Sequence, residues 1–577
     1  MIKNDKILVQ CKQLLEDRNM TELLKILSYD ENREFVVVSG WELIGLLCKQ
    51  IGYDSNDQNS FNCIKLLQKV CSAKEIILGL DLENCYSENA FLVVITVYTD
   101  AFLKLQRGQT VHLKNICKNI VEHLDQLLQN SKNISLKNYQ LKANNASNLN
   151  QILLVVKKYE RFCFSLKDFV LKITEKLIHE KYDDLESYLF EKSIKQNGWS
   201  AYDTEACRNI LCEFVFKVLE QLIECLPLLK HPSMIEIKSC FTVFVDSVLK
   251  IKRITDMFGF YASMKFDISN ALCKAESSNK IFIYNNLGFT LFLYLIYIHG
   301  LVFQEIPLVY RIESVLLTVM PHLNMMIKRP DAVSFEIGME FLFYLLSCIS
   351  CNELEKEHIL YKHLLMGFYF VMVWGVNKSR REKAKEAFEE LLQKFNARSK
   401  FALISHVYES SHHAGMEALC ISLMNNLLMT EYPDFEQCQN ISSLALKYIE
   451  FVGGETHILL DSDRLLAGLN FLRFWFLKDP LHVNKTGIWS KTGEIEKCLN
   501  ILQHGIDISR HEFEEVIKNG LSKADIEKLQ AVSKMISGGT SLNSMEDTEK
   551  IATIKKAVCL LELMASIVAR IREIAYN

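Results

Sequence analysis

Large apolar residues recur every three to four positions along most of this chain, most clearly near its C-terminus. Two sets of four residues there repeat the same gaps of four, three and four. They are Leu465, Leu469, Leu472 and Phe476, followed by Ile495, Leu499, Leu502 and Ile506. Because an α-helix has 3.6 residues per turn, each set lies on one helix face. The pattern therefore predicts two amphipathic helices.

The residues around the first set mark where its helix begins and ends. Asp461, Ser462 and Asp463 come before it, and short polar acceptors with negative charge suit the free N–H groups at a helix start. Asp479 and Pro480 come after it, and proline cannot continue a helix. A loop rich in Asn, Lys, Thr and Gly then leads to the second set. We predict two antiparallel helices with facing apolar stripes.

The same rhythm of helix and turn extends to the N-terminus. The sequence holds only 7 prolines and 22 glycines, and alternating strand-like segments are scarce, which favours long helices joined by short turns. The spacing of the helices is compatible with repeats of about 40–47 residues, although no repeat of the sequence itself can be aligned. We predict an all-α fold, an α-solenoid of irregular HEAT/armadillo-like helical repeats.

Polar intervals divide the predicted repeats. N-terminal helical repeats are expected over residues 1–130. Residues 131–151 include six asparagines and should form a polar mobile loop, because they offer little apolar surface to bury. Helical repeats continue over 152–273, and a C-terminal helical-repeat module follows over 281–577. The last helix of that module carries an apolar stripe that should dock as a cap. The stripe consists of Ala557, Leu560, Met564, Ile567, Ile571 and Ile574.

Composition and charge limit the classes of function. Lysine and arginine number 66 against 70 aspartates and glutamates, a net charge of −4, whereas a general nucleic-acid binder concentrates basic charge on its surface. Nucleic acid is therefore not expected as a partner. Most of the 18 cysteines lie in apolar runs, where cysteine acts as a small core residue. Because the N-terminus has no apolar signal segment, a cytoplasmic location is expected, with entry into the nucleus left open.

Two segments have alternative interpretations. Residues 287–303 carry no charge over 17 positions, the lower limit for a membrane-spanning helix. Thr290, Tyr294 and Tyr297 share one face there, so we interpret the segment as a buried central helix and expect no membrane insertion. Residues 378–385 hold five basic residues and one acidic residue. This basic cluster opens a helix and is predicted to be a solvated face, with a nuclear-import signal or a patch for an acidic partner as alternatives.

Candidate chemistry is sparse. Cys348, Cys351, His358 and His363 superficially resemble a zinc ligand set. Only six residues separate Cys351 from His358, whereas a compact Cys/His zinc module usually has about 12. Both cysteines are predicted to be buried thiols at a helix end. Because the sequence also lacks a phosphate-binding loop, a dinucleotide-binding glycine motif and a nucleophile elbow, we expect no enzymatic activity, no metal and no cofactor.

Several short motifs, taken in order along the chain, resemble the glomulin family. The C-terminal motifs are Asp461–Arg473 and Lys485–Glu496, with shorter matches upstream at Gly40–Gly45, Lys74–Leu80 and Ser411–Ala418. The resemblance spans most of the chain but is discontinuous. It implies a non-catalytic protein that binds the RING subunit of cullin–RING ubiquitin ligases, and hence cullin complexes, through residues near 401–577. Inhibition would be steric, because the bound module would cover the RING face that recruits the ubiquitin-conjugating enzyme.

Candidate partner-binding residues follow from the usual composition of interfaces, which favours large aromatic and arginine side chains with polar neighbours. On the first C-terminal helix, Phe471 and Phe474 lie opposite the apolar stripe, either at an interface or against a neighbouring repeat. Trp489 in the following loop fits an interface and a core position equally well. The candidates are Arg464, Asn470, Arg473, Phe474, Lys478, Asn484, Lys485 and Trp489.

A general adaptor or transport scaffold of HEAT/armadillo type is the alternative function. It would share the predicted fold and differ only in its protein partner. Further protein partners of the N-terminal half also stay open. An enzyme is a distant third hypothesis, for which the four Cys and His residues between 348 and 363 would be tested first.

Overall fold

The computed structural model describes residues 2–53, 57–80, 87–105, 108–131, 159–178, 201–230, 234–251, 287–301, 311–355, 359–434, 436–451, 458–519 and 547–576. These residues are mostly helical, which confirms the all-α prediction. Within the described ranges, β structure is limited to an isolated bridge between Leu354 and Phe395. The predicted polar loop at 131–151 lies outside the described residues apart from Ser131, where a helix ends.

The chain divides into two compact units, Met1–Tyr344 and Leu345–Asn577. The helices of the first unit are α1 (Ile2–Glu16), α2 (Met20–Ser28), α3 (Arg33–Ser39), α4 (Glu42–Tyr53), α5 (Gln58–Val70), α6 (Ala73–Gly79), α7 (Glu88–Leu103), α8 (Gln109–Ser131), α9 (159–178), α10 (Ala201–Gln221), α11 (Ile235–Ile251), α12 (Leu287–Tyr297), α13 (Ile312–Lys328) and α14 (Ala332–Ser347). Short 3-10 helices lie at Asp30–Asn32 and Ile223–Lys230. The boundary between the units crosses the end of α14.

Neighbouring helices along the chain pack on one another in the first unit. Helix α4 packs on α5 and α7, α8 packs on α7 and α10, and α10 packs on α11 and α12. Each helix therefore buries its apolar face against helices close to it in sequence, as expected for stacked helical repeats. The Tyr98 hydroxyl on α7 donates a 3.0 Å hydrogen bond to the Leu80 carbonyl that follows α6.

Helix α12 is the predicted central helix, and every residue from Leu287 to Ile296 is buried. Gly288 allows it to approach α10, because a Cβ at this position would lie only 2.2 Å from the carbonyl oxygen of Phe216. The Tyr294 hydroxyl donates a 2.9 Å hydrogen bond to the carboxylate of Glu340 on α14. None of the described helices is both long and apolar enough to cross a bilayer.

The second unit continues with α15 (Ile359–Trp374), α16 (Lys378–Gln393), α17 (Ala397–Ser410), α18 (Ala414–Glu431), α19 (Ile441–Ile449), α20 (Ser462–Lys478), α21 (Thr492–Asn519) and α22 (Asp547–Tyr576). Two 3-10 helices, Glu436–Asn440 and Trp489–Lys491, precede α19 and α21. Helix α15 packs on α16, α17 on α18, and α20 on both α18 and α19. The basic cluster at 378–385 forms the first half of α16, as predicted.

The two C-terminal helices predicted from the sequence exist, but their pairing differs from the prediction. Helix α20 ends immediately before Asp479 and Pro480, and the apolar stripes of α20 and α21 are fully buried. Helix α20 packs on α18, α19 and α22, helix α21 packs mainly on α22, and α20 and α21 make little direct contact. The expectation of two directly facing stripes is therefore wrong. The last helix contacts both of them, and α18 and α19 complete the cover of α20.

Helix α22 docks as the predicted cap, with its buried stripe rotated slightly from the predicted one. Ala557, Met564 and Ile571 are at most 1% exposed, whereas Leu560 is only half-buried. Leu561 is fully buried in its place. Val568 is also fully buried, whereas Ile574 of the predicted stripe is half-buried. Helix α22 contacts two helices, α20 and α21.

The cysteines divide into two groups. Most of those described are buried free thiols in the core, as predicted. Cys348 and Cys351 are exposed, which corrects the expectation of buried thiols at a helix end. They follow directly after α14 ends at Ser347, where the chain turns toward solvent. His358 lies outside the described residues, and among the described ones no group of three or more His, Cys, Asp or Glu side chains is placed to hold a metal ion.

Candidate protein-binding surface

Arg464, in the first turn of α20, is a structural residue and not an exposed contact. Its side chain is 11% exposed, and its guanidinium lies 3.3 Å from the Glu417 carboxylate on α18 and 3.1 Å from that of Asp461. It also donates to the carbonyls of Tyr448 and Glu450 at the end of α19, where a cation complements the negative end of the helix. Burial raises the pKa of Glu417, and Arg464 opposes that shift. The Arg464 guanidinium is therefore engaged within the fold, and a contact of this residue with a partner stays a prediction.

One side of α20 is anchored by aromatic side chains. The ring of Phe471, 2% exposed, packs edge-on to that of Tyr448 at a centroid distance of 5.2 Å. Trp475 is fully buried, and its ring lies 5.6 Å from that of Tyr432. Gly468 brings α20 close to α19, because a Cβ there would lie 2.7 Å from the Tyr448 carbonyl oxygen. Phe471 thus packs against a neighbouring helix and does not contribute to an exposed interface.

The opposite side of α20 faces solvent. Asn470 and Arg473 are exposed, Phe474 is half-buried, and Leu477 is 64% exposed. These four positions share one helix face by their spacing of three and four residues. Lys478, the last residue of the helix, is also exposed. The face combines two cations with an aromatic and an aliphatic side chain.

Asp479 holds the loop that follows α20. Its side chain is fully buried, and its carboxylate accepts hydrogen bonds from the Thr486 amide at 2.7 Å and the Thr486 hydroxyl at 2.6 Å. The same carboxylate accepts from the Lys485 amide and the Tyr432 hydroxyl, both at 3.2 Å. Its main-chain carbonyl accepts a 2.6 Å hydrogen bond from Nε1 of Trp489. One buried residue therefore fixes both ends of the loop.

Asn484 and Gly487 make the tight turns within this loop. Both have positive φ angles, 40° and 69°, in the left-handed region that favours asparagine and glycine. The Asn484 side chain accepts from the Trp489 amide at 3.2 Å and donates to the Ser490 hydroxyl at 2.9 Å. The Trp489 ring packs edge-on to Phe476 at 4.9 Å. Asn484 and Trp489 are half-buried and make hydrogen bonds within the loop. In the structure their main role is to position other side chains.

The loop presents further apolar and basic side chains to solvent. Leu481 and Val483 are 66% and 41% exposed, and the Lys485 side chain is exposed although its amide is held by Asp479. We call the exposed set on α20 and this loop the C-terminal surface. It consists of Asn470, Arg473, Phe474, Leu477, Lys478, Leu481, Val483 and Lys485.

Sequence reasoning missed two features of this surface. The sequence indicates Asp479 only as a helix stop, whereas in the structure its carboxylate closes the loop by accepting hydrogen bonds from the Thr486 amide and hydroxyl. The usual composition of interfaces does not single out Leu477, Leu481 and Val483, because they are aliphatic residues near a helix end. Their position is the available signal, since all three fall outside the buried stripe of α20 and within three residues of Pro480.

The chemistry of the C-terminal surface suits binding. Its exposed leucines and valine would gain free energy by leaving water, and its three cations can pair with carboxylates on a partner. Beneath the loop, burial raises the pKa of the Tyr432 hydroxyl, and the adjacent Asp479 carboxylate raises it further. Tyr432 therefore stays neutral, and its hydroxyl donates a hydrogen bond to the Asp479 carboxylate. This hydrogen bond helps to hold the surface in one conformation.

Comparison with known proteins finds full-length relatives. Human (Homo sapiens) glomulin is 24% identical over 594 aligned residues, which cover 98% of this chain and 92% of that protein. Mouse (Mus musculus) glomulin is 24% identical over 583 residues with the same coverage. No family model matches the chain.

A solved structure described as a circular tandem repeat protein with novel repeat topology and enhanced subunit contact surfaces aligns over 99% of this chain and 91% of that one. Its identity is 11% and its TM-score 0.20, too low to support any argument. The two relatives, in contrast, align over 98% of this chain. Over nearly its whole length, therefore, the chain is similar to human and mouse glomulin.

Proposed function

We propose that this protein is a non-catalytic regulator of cullin–RING ubiquitin ligases, which binds their RING subunit and sterically blocks recruitment of the ubiquitin-conjugating enzyme. The observation that carries the proposal is a preformed basic and apolar surface, located at the C-terminal motifs of a chain related to glomulin over its whole length. We place this action in the cytoplasm, with entry into the nucleus left open.

The geometry of the C-terminal surface favours binding in two ways. Because Asp479 fixes the loop before any partner arrives, little conformational freedom is lost on association. Leu477 and Leu481 are each about two-thirds exposed, so covering them would remove apolar area from water. Arg473 can form bidentate pairs with a carboxylate. Such a surface needs no chemistry of its own, since inhibition requires only that the covered face of the partner be unavailable.

The proposal is tested with the purified full-length chain and a cullin–RING complex. We expect the wild-type protein to bind the complex and to slow ubiquitin transfer, while the cullin and the RING subunit stay associated. Replacing Arg473→Glu together with Leu477→Ser should weaken binding at least tenfold, about 1.4 kcal/mol. Both side chains are exposed, so the variant should keep its stability.

Two matched controls accompany this variant. Leu78 is 64% exposed, the same fraction as Leu477, and lies in the first unit, so Leu78→Ser tests the loss of an exposed leucine elsewhere. Lys118→Glu tests an equivalent reversal of charge. If the wild-type chain neither binds the RING subunit nor slows transfer, the proposed function is wrong. If the Arg473 and Leu477 variant binds as tightly as the wild type, the function stands and the surface assignment is wrong.

A general adaptor of HEAT/armadillo type is the alternative to this proposal. It would use the same fold and a comparable exposed surface, with a different protein partner. Failure to bind the RING subunit, together with a different protein captured only when the C-terminal surface is intact, would favour that alternative.

A further inference from the structure

A second exposed apolar region lies on the second unit, at the end of α15. Phe370 and Trp374 are 46% and 67% exposed and lie four residues apart, hence on one helix face. Met366, one turn earlier on the same face, is half-buried. Val376, in the turn that follows the helix, is 99% exposed. The three exposed side chains therefore form an apolar stripe that continues from the helix into the turn.

The turn that carries this stripe is tightly fixed. The Gly375 amide donates a 2.9 Å hydrogen bond to the Val371 carbonyl, and a Cβ at Gly375 would lie 2.3 Å from the same oxygen. From α16, the Arg381 guanidinium donates to the Gly375 carbonyl at 2.7 Å and to the Val376 carbonyl at 3.4 Å. The exposed Trp374 and Val376 are thus held in place by the backbone around them.

Helix α16 places basic charge directly after the turn. Its first eight residues, 378–385, include five basic residues and one acidic residue. The side chains of Lys378 and Lys385 are 81% and 53% exposed. Each lies near a glutamate four residues later, at 3.7 and 3.8 Å, but these are exposed pairs of low strength. Lys378 and Lys385 therefore present basic charge that a partner can reach, whereas the Arg381 guanidinium is bonded to the turn.

This charge is unfavourable for the helix itself. Cations near a helix N-terminus oppose the helix dipole, and lysine placed before glutamate at a spacing of four is the weaker order of such a pair. The second half of α16 carries Glu386, Glu389 and Glu390, and negative charge toward the C-terminal end of a helix also opposes its dipole. The stability of α16 therefore does not explain this arrangement of charge, whereas binding of an acidic partner would.

We propose that the α15–α16 corner, consisting of Phe370, Trp374, Val376, Lys378 and Lys385, is a docking site for a short acidic segment of a partner protein that carries apolar anchor residues. The anchors would cover the stripe on α15 and its turn, and the carboxylates would pair with the cations of α16. Aromatic side chains flanked by cations are typical of the residues that dominate protein interfaces. This site is separate from the C-terminal surface and does not depend on the proposed function.

Charge complementarity favours a short protein segment over an extended anionic surface. A bilayer of acidic lipids or a nucleic acid would present negative charge to the whole exposed length of α16. It would then meet the glutamates at 386, 389 and 390 as well as the cations before them, and like charges repel. A short acidic segment can pair with Lys378 and Lys385 and end before those glutamates.

The test uses the full-length chain and fluorescein-labelled 12-residue peptides. The panel contains glutamate-rich peptides with two leucine or phenylalanine anchors spaced two, three or four residues apart. Matched peptides replace the glutamates with glutamine or the anchors with alanine. Binding is measured by fluorescence anisotropy at 50 and 300 mM salt, with vesicles of acidic phospholipid and a single-stranded oligonucleotide as competitors.

We expect at least one anchored acidic peptide to bind, at least tenfold more weakly at the higher salt concentration, because exposed charges are screened. Trp374→Ala and, separately, Lys378→Glu should each weaken binding at least tenfold. Lys118→Glu is the matched charge control, because Lys118 also lies 3.7 Å from a glutamate four residues later. Leu78→Ser is the apolar control, since Leu78 and Trp374 are 64% and 67% exposed. Both controls should leave peptide binding unchanged.

Several results would overturn the proposal. One is the absence of binding by every peptide in the panel, and another is binding that Trp374→Ala and Lys378→Glu leave unchanged. Preferential binding of vesicles or oligonucleotide at this site would assign it to another class of partner. Self-association of the chain that is abolished by Trp374→Ala would show that a second copy covers the stripe.

Discussion

Removal of the Asp479 carboxylate should release the loop that forms the C-terminal surface. This carboxylate accepts four hydrogen bonds, and two of the donors belong to Thr486, which is fully buried. The other two donors, the Lys485 amide and the Tyr432 hydroxyl, lie nearer to solvent and can bond to water. In Asp479→Ala the Thr486 amide and hydroxyl would stay buried without an acceptor. Each unsatisfied group should lower the free energy of unfolding by about 1–3 kcal/mol. We expect a loss of about 4 kcal/mol in the free energy of unfolding of the second unit.

A conservative variant separates the lost hydrogen bonds from the lost charge. Asp479→Asn retains one oxygen, which can still accept from the Thr486 amide and hydroxyl. It should therefore recover about half of the loss. Asp507→Ala is the matched control, because the Asp507 side chain is 50% exposed and lies 3.9 Å from Arg510. An exposed substitution of this kind should change stability by no more than about 0.5 kcal/mol.

Hydrogen exchange detected by mass spectrometry measures the loss of protection in the loop that Asp479 holds. In Asp479→Ala, amides 485–489 should exchange much faster than in the wild-type chain, and urea denaturation followed by tryptophan fluorescence should report the loss of stability. The reasoning is refuted if Asp479→Ala exchanges like the wild type and loses less than about 1 kcal/mol. It is also refuted if Asp479→Asn is as destabilised as Asp479→Ala, because the loss would then not come from unsatisfied Thr486 donors.

Two further predictions concern buried polar groups. Arg464→Ala should lower the free energy of unfolding by about 2–4 kcal/mol, because it leaves the largely buried Glu417 carboxylate without its partner. Thermal denaturation measures this loss, and a change below about 0.5 kcal/mol would contradict the prediction. Burial lowers the pKa of His322 to about 4, so between pH 6.5 and 4 the unfolded chain takes up a proton that the folded chain does not. The free energy of unfolding should therefore fall by about 3 kcal/mol as the pH drops through this range, at about 1.36 kcal/mol per pH unit. This part of the pH dependence should disappear in His322→Gln. Unfolding measurements on both proteins at pH 7.5, 5.5 and 4.5 test this.

The sequence predicted the position of α20 and α21 but not which helices they pack against. Local signals were sufficient for the first, because Asp479 and Pro480 end α20 and the apolar stripes are strictly periodic. Pairing depends on α18 and α19, which precede α20, and on α22, which begins about 70 residues after α20 ends. A periodic stripe shows that a helix face will be buried and does not show what buries it.

The candidate site was predicted in part for the same reason. Arg473, Lys478 and Lys485 are exposed, as a partner-binding role requires. Arg464 has the same chemistry as Arg473 but lies where three structural elements meet, so its charge is used within the fold. Asn484 and Trp489 are half-buried and hold the loop in place. Residue type alone could not distinguish these roles.

By itself, the sequence determined the all-α class, the ends of the C-terminal helices and the resemblance to the glomulin family. These properties depend on local periodicity, on helix-breaking residues and on motif order, all of which can be read along the chain. Tertiary structure alone decided that Asp479 is the acceptor at the centre of a loop and that Leu477 and Leu481 face solvent beside it. Burial and hydrogen bonding depend on residues that are distant in sequence and close in space, and so they are fixed only when the helices have packed.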